Sequence, residues 1–229
     1  MAGRTITIGD IHGCAVALDA VLTALQPCAN DTIITLGDYI DRGPDSRGVV
    51  ERLLVLSREC RLIALRGNHE AMLLEAWQDT AAIRKWLTCG GTDALRSYGW
   101  TPGGPKRTLT SWFPERHRTF LTATKLSHET DTHVFVHAGV LPNLPLHQQP
   151  EIALLWRVSD ARTAAPHESG KIVVVGHTPQ SSGEILDLGF LVNIDTNCVR
   201  GGWLTALDVG SGHIWQTNSK GTLRGTITE

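Results

Sequence analysis

The 229-residue chain contains no run approaching about 18 uninterrupted apolar residues, so its sequence offers no membrane-spanning helix. It has no basic excess either: 21 Lys and Arg stand against 23 Asp and Glu, a formal net charge of -2. Binding to a nucleic-acid backbone draws on clustered positive charge, and the sequence makes no case for it. No CxxC pair occurs. The five cysteines, Cys14, Cys28, Cys60, Cys89 and Cys198, are odd in number and widely spaced, which argues against a zinc knuckle or a disulfide framework. The opening MAGRTITIGD lacks the long apolar stretch of an export signal. A cytoplasmic protein with reduced thiols is therefore expected, most of them serving as small buried hydrophobes. Cys14 and Cys198 are set apart only by lying near the motif residues described below. Repeats and low-complexity segments are lacking as well.

What is present is a set of short apolar, β-branched runs: Thr5–Ile8, Thr32–Leu36, Leu62–Leu65, His133–Val136, Ile172–Val175 and Leu191–Ile194. Each is nearly continuous in apolar character, as strands buried on both faces are. Helical periodicity separates the first three, with Val16, Leu18, Val21, Leu22 and Leu25 in one stretch and Val49, Val50, Leu53, Leu54 and Leu56 in the next. Strands alternating with helices predict βαβ units and an α/β fold. From Glu70 to about Leu126 the pattern changes to helical segments, broken at Gly90-Gly91 and by the Gly- and Pro-rich Trp100–Arg107. Four of the seven tryptophans, Trp77, Trp86, Trp100 and Trp112, fall there and are expected to pack in a core. Leu204–Val209 and His213–Gln216, joined by Gly210-Ser211-Gly212, predict a hairpin.

Just beyond the carboxyl end of five of these runs lies a cluster of glycine and hard ligands: Gly9-Asp10-Ile11-His12-Gly13, Gly37-Asp38-Tyr39-Ile40-Asp41-Arg42-Gly43, Gly67-Asn68-His69-Glu70, His137-Ala138-Gly139 and Gly176-His177-Thr178. In open α/β sheets ligands bind in the crevice past the carboxyl ends of strands, so residues far apart in sequence can converge there. Carboxylate, imidazole and amide oxygen suit Mn, Fe and Zn, and no thiolate is among them. Asp10-x-His12 is expected to place two ligands on one side of an extended segment. Any one cluster alone is commonplace: a lone Asp-x-His or Asn-His is most often an ordinary loop, and Asp41-Arg42 alone reads as a surface turn with an ion pair. Five clusters, each following a strand, are not explained that way.

These motifs, in this order, resemble those of the calcineurin-like metallophosphoesterase superfamily, and in detail the phosphoprotein phosphatases of bacteria and phages. The resemblance runs from about Thr5 to Leu207 and implies two mixed β-sheets packed as a sandwich and flanked by helices, in one domain spanning 1–229 with a helical insertion at about 70–126. It implies two divalent cations, manganese first with iron or zinc as alternatives. One cation takes Asp10, His12 and Asp38; the other takes Asp38, Asn68, His137 and His177. It implies that His69 is the general acid, that Asp41 orients it and raises its pKa, and that Arg42 binds substrate phosphate. Arg157, within Leu154-Leu155-Trp156-Arg157, matches a second phosphate-binding arginine loosely, since many relatives carry theirs one position later after the Trp. The C-terminal tyrosine of the eukaryotic enzymes has no counterpart, the only tyrosines being Tyr39 and Tyr98.

The expected activity is hydrolysis of phosphate monoesters on a phosphorylated protein or a small phosphoester, of the serine/threonine phosphatase type with dual specificity as a variant. Symmetrical diadenosine tetraphosphate hydrolase, broad-specificity phosphomonoesterase and a non-catalytic metal-binding module are the alternatives. Asp41 and the reading Asn68-His69-Glu70, where the dinucleotide hydrolases have Asn-His-Asp and lack the first aspartate, favour the phosphatase. The non-catalytic module predicts loss of a ligand or of His69, and none is lost. The insertion is expected to wall the substrate groove.

Overall fold

A computed structural model describes residues 3–224. Along the chain run β1 (Thr5–Ile8), α1 (Ala15–Leu25), β2 (Thr32–Thr35), α2 (Ser46–Glu59), β3 (Arg61–Ala64) and α3 (Asn68–Gln78). Then come α4 (Ile83–Trp86), α5 (Thr92–Ser97), α6 (Glu115–Thr122), β4 (Ser127–Glu129), β5 (His133–Val136) and α7 (Glu151–Trp156). The series ends with β6 (Ile172–Val175), β7 (Leu186–Asp187), β8 (Leu191–Asn193), β9 (Leu204–Asp208) and β10 (Ile214–Thr217). Two five-stranded mixed sheets form, in the orders β10-β9-β1-β2-β3 and β4-β5-β6-β8-β7. β1, β2 and β3 are parallel in register, Ile6 beside Ile33 and Ile33 beside Leu62, while β9 joins β1 antiparallel. In the second sheet β5, β6 and β8 are parallel, and the short β4 and β7 close the edges antiparallel.

Alternation along the strands builds three apolar layers. Ile34, Leu36, Phe135, Val174, Ile194 and Leu207 meet between the sheets. One residue along, Ile33 turns to the layer under α1 and α2, where Ile6, Leu18, Val21, Val50 and Leu53 are buried. Val134, Val136, Val173 and Val175 cover the far face of the second sheet, against Leu154 of α7. Strands apolar on both faces are what this sandwich requires. Helix α2 begins where Asp45 caps it, its carboxylate accepting from the Gly48 N–H at 2.8 Å, and so extends beyond the apolar stretch that predicted it.

Helices α5 and α6 pack beside α2, with α3 against α4 and α6, and Trp86, Tyr98, Phe113 and Leu121 bury into the same layer as α1 and α2. Of the tryptophans expected in the core, Trp86 is fully buried, while Trp77, Trp100 and Trp112 are half-buried. The hairpin forms as β9 and β10. All five cysteines are free thiols; Cys14, Cys60 and Cys198 are buried and Cys28 is exposed. Among the described residues no helix is long and apolar enough to cross a membrane.

Candidate active site

The carboxyl ends of β1, β2 and β3 lie beside those of β5 and β6, and all five motifs meet there. Asp10, His12, Asp38, Asn68, His69 and His137 are each no more than about 5% exposed. The loops after β1 and β2 are zipped together: the Ile11 and His12 N–H groups both donate to the Asp38 carbonyl, and Gly13 N–H donates to Tyr39. The loop after β3 joins them through Glu70, whose carboxylate accepts from the backbone N–H groups of Gly67, Asp38 and Tyr39 at 2.7–2.9 Å. Burial, with Asp38 close by, pushes Glu70 up to about 7. The two sheets are tied by the His177 N–H, which donates to both oxygens of Asp10 at 3.1–3.2 Å.

Backbone geometry here is unusual. Seven non-glycine residues among those described have positive φ, and five of them belong to the motifs: His12, Asp38, Asp41, Arg42 and His177. Such conformations cost energy and persist where surrounding structure enforces them, typically at functional sites. His12, at φ 44°, corrects one expectation: the segment from Asp10 to His12 is a turn, not an extended strand end, because both N–H groups after Asp10 fold onto the Asp38 carbonyl. The two side chains still reach one site. Glycine is required where backbone must approach closely: a Cβ on Gly67 would lie 2.1 Å from Asp38 Oδ1, and one on Gly176 would lie 2.1 Å from Asp10 Oδ1.

The side chains form two overlapping donor groups, His12–Asp38–His69 and Asp38–His137–His177, sharing Asp38. Asp38 Oδ2 is 3.3 Å from His12 Nε2 and Oδ1 is 3.5 Å from His137 Nε2. Both imidazoles commit Nδ1–H to a backbone carbonyl, His12 to Ile40 at 3.0 Å and His137 to Leu36 at 2.9 Å, leaving each Nε2 as a lone pair facing inward. His137 Nε2 then meets Asn68 Oδ1 at 3.0 Å, acceptor against acceptor, with His177 Nδ1 3.2 Å away. Asn68 Oδ1 is also 3.0 Å from His177 Nδ1. Burial lowers His137, and lowers His177 to about 4, so both are neutral near pH 7. Burial alone would raise Asp38, but the imidazoles of His137, His69 and His12 around it hold it well below the usual carboxylate range. Asp10 is pushed well up by burial and then by the charges of Asp195 and Asp38. Imidazole nitrogens facing inward, a shared carboxylate held below the usual range and mutually repelling acids make a donor set that fits divalent cations.

His69 Nδ1 is 2.7 Å from Asp41 Oδ2, both residues being buried, and His69 Nε2 has no hydrogen-bond partner. The expected upward pull of Asp41 on this histidine meets an opposing effect, since burial drives His69 down to about 3 and drives Asp41 well up. Both shifts disfavour a separated imidazolium–carboxylate pair in this buried setting. The other ring nitrogen, Nε2, lies 3.9 Å from Asp38 Oδ2 at the edge of the cluster. Arg42 Nη1 donates to His12 Nε2 at 2.8 Å. Arg157 is half-buried, its Cδ packed over Gly139 beside the His137 motif. Ser159 fastens that loop to Thr178 and Ala138.

Three participants escaped the sequence reading. Asp195, 6% exposed, faces Asp10; it follows the apolar run Leu191–Ile194 directly, but without the neighbouring glycine that marks the other five clusters. Glu70 stands in the sequence as one letter of a motif, with nothing local to mark it as the clamp on three N–H groups. Trp86 packs in the core as expected, and its Nε1–H also donates to both Asp41 oxygens at 3.0–3.1 Å. No periodicity signals that bond.

The sequence matches the family model described as calcineurin-like phosphoesterase over residues 3–213. It is 31% identical to serine/threonine-protein phosphatase 1 of Salmonella typhimurium over 210 residues, 86% of this chain and 88% of that protein. It is 36% identical to the symmetrical bis(5'-nucleosyl)-tetraphosphatase of Ralstonia nicotianae over 135 residues, 59% of this chain and only 41% of that protein. Among solved structures, one assigned provisionally as a diadenosine tetraphosphatase superposes with a TM-score of 0.71 over 95% of this chain and 94% of its own, at 23% identity. A cold-active protein-tyrosine phosphatase from a Shewanella species gives 0.61 over 98% and 80%, at 16% identity. At those identities the structural matches speak for the fold.

Proposed function

The chain belongs to the calcineurin-like phosphoesterase family, and from that premise we propose that it is a phosphomonoesterase of the serine/threonine protein phosphatase type. Asp10, His12 and Asp38 would hold one divalent cation, and Asp38, Asn68, His137 and His177 a second, manganese first with iron and zinc as alternatives. When bound, such ions lower the pKa of water and neutralise phosphoryl oxygens. Arg42 and Arg157 present planar guanidinium forks to the phosphate. His69 carries the proton for the leaving oxygen at Nε2, and Asp41 orients it through Nδ1.

The observation that carries this reading is the buried Asp41–His69 pair with its unpartnered Nε2 beside the cluster. A serine alkoxide is a poor leaving group and needs a proton delivered; a nucleotide polyphosphate is a far better one and needs little help. The match to the Salmonella phosphatase over 88% of its length supports the same reading, since the tetraphosphatase match stops short of half that enzyme's length. A dinucleotide hydrolase is the second reading, favoured by the higher local identity of the Ralstonia enzyme.

The test is a comparison of kcat/KM with added manganese on a phosphoserine or phosphothreonine peptide, p-nitrophenyl phosphate and diadenosine tetraphosphate. Peptide turnover is expected to lead. Symmetrical cleavage of the dinucleotide exceeding every peptide by orders of magnitude would retire the phosphatase reading and leave the phosphoesterase assignment standing.

A further inference from the structure

The end of α4 and the turn that follows it reach back across more than forty positions to the second motif, and touch two consecutive residues of it. Trp86, fully buried, donates its indole N–H to both oxygens of Asp41. Four residues later the Gly90 carbonyl accepts the Arg42 N–H at 3.3 Å. Both contacted residues have left-handed backbone, φ 72° for Asp41 and 65° for Arg42. The turn itself is shaped for this. Gly90 has φ 113°, open to glycine and costly for other residues, and a Cβ on Gly91 would fall 2.5 Å from the Trp86 ring. Phe113 flanks the indole with ring centroids 6.4 Å apart.

A buried carboxylate needs donors, and a carboxylate free to rotate about its last bond orients nothing. Among the described residues the only side chains hydrogen-bonded to the Asp41 carboxylate are His69 and Trp86. The indole N–H, shared by the two oxygens, fixes the carboxylate plane so that Oδ2 meets His69 Nδ1. The Ser46 hydroxyl, accepting from the Asp41 backbone N–H at 3.0 Å, fixes its position along the chain. With Nδ1 held, the imidazole cannot turn, and Nε2 stays aimed at the cluster.

The geometry points to Trp86 as a positioning residue for proton delivery: its indole N–H locks the Asp41 carboxylate, and through it the His69 ring, in the orientation that protonates the leaving oxygen. The inference rests on the reading of His69 as proton donor. In that step the ester P–O bond breaks, its electron pair stays on the leaving oxygen, and that oxygen takes the proton from His69 Nε2. The attacking water gives its oxygen to phosphorus, and a proton it releases restores His69.

Trp86→Phe removes the N–H and keeps a large ring. The readout is kcat and KM on a series of phosphate monoesters, p-nitrophenyl, phenyl and alkyl, with His69→Asn measured alongside. The expected result for Trp86→Phe is a loss in kcat of about 10–100-fold on the alkyl ester, a fraction of the full general-acid contribution. On p-nitrophenyl phosphate the loss stays within about threefold, with KM and bound manganese unchanged. Adding Trp86→Phe to His69→Asn should produce no further leaving-group bias, because the two act as one unit. A uniform loss across the series, or none, while His69→Asn keeps its bias, overturns the role of Trp86 alone. Absence of bias in His69→Asn removes the proton-donor reading and this inference with it. Should Trp86→Phe fail to fold, the assigned indole N–H resonance of Trp86 decides the matter in the otherwise unaltered chain. Slow hydrogen exchange, and a shift of that resonance on Asp41→Asn, support the bond. Fast exchange, or indifference to Asp41→Asn, overturns it.

Discussion

Asp38 is the residue on which the two donor groups depend. It belongs to both, its carbonyl anchors the first motif through Ile11 and His12, and its Oδ1 also accepts from the His69 N–H at 3.1 Å. His69 contributes a nitrogen to one group only, and its Nδ1 is committed to Asp41. Asp38→Asn is accordingly expected to reduce manganese from near two ions per chain to well below one, whereas His69→Asn keeps nearly the full complement. Elemental analysis after loading and desalting checks this, and equal loss in both variants would contradict the shared role of Asp38. Much at this scale was legible in the sequence: the motif residues stand where strand ends predicted them, because five clusters of glycine and hard ligands, each past a strand, are more than ordinary loops explain. What stayed hidden was orientation. The turn at His12, the downward shift of His69 and the indole bond to Asp41 arise from contacts between segments distant in sequence, and no local pattern encodes them.

Elements are joined at the far end of the first sheet by Arg4 and Asp31. The Asp31 carboxylate, 1% exposed, accepts from the Arg4 backbone N–H, the Arg4 guanidinium and the Cys28 N–H. The same guanidinium donates to the carbonyls of Leu25 and Gln26 at the carboxyl end of α1, where positive charge is favourable. This latch ties the start of β1, the end of α1 and the entry to β2. The hydrogen bond from Arg4 holds the Asp31 carboxyl below the usual carboxylate range. A depressed folded pKa gives stability that is fully present above the unfolded value, near 4, and is lost as pH falls through the folded one. Asp31→Asn is expected to cost about 1–3 kcal/mol at pH 7. It should also flatten the acid limb of the stability curve below about pH 4, as measured by urea unfolding at stepped pH. A variant as stable as the parent, with an unchanged acid limb, would show the latch to be idle. The long elements were readable from periodicity; α1 matches its apolar pattern end to end. Edge strands β4 and β7, of 3 and 2 residues, were not, since they are too short to show alternation. Helix α6 carries few apolar residues and is held by Leu121 and its neighbours in space.

Across the whole molecule, the two sheets place the candidate site on their shared edge, so cations bound there would bridge them. Anything that binds the folded chain alone stabilises it by mass action, by about 2.7 kcal/mol at a hundredfold excess over Kd. For a chain of this size that is a rise in Tm of about 5–10 °C per site. Thermal melts with and without manganese should show it, and Asp38→Asn should abolish it; an undiminished rise in that variant would place the binding elsewhere. The bond between His177 and Asp10 spans 167 positions, and central β1 gains its second neighbour only when β9 arrives at residues 204–208. Synthesis on the ribosome is directional, at about 5–20 residues per second, so the first motif waits about 10–30 s for the fifth. Until then the nascent chain carries Asp10, His12 and Asp38 without the partners that complete the donor set. The candidate donor set thus comes together only after the fifth motif, Gly176-His177-Thr178, has been made.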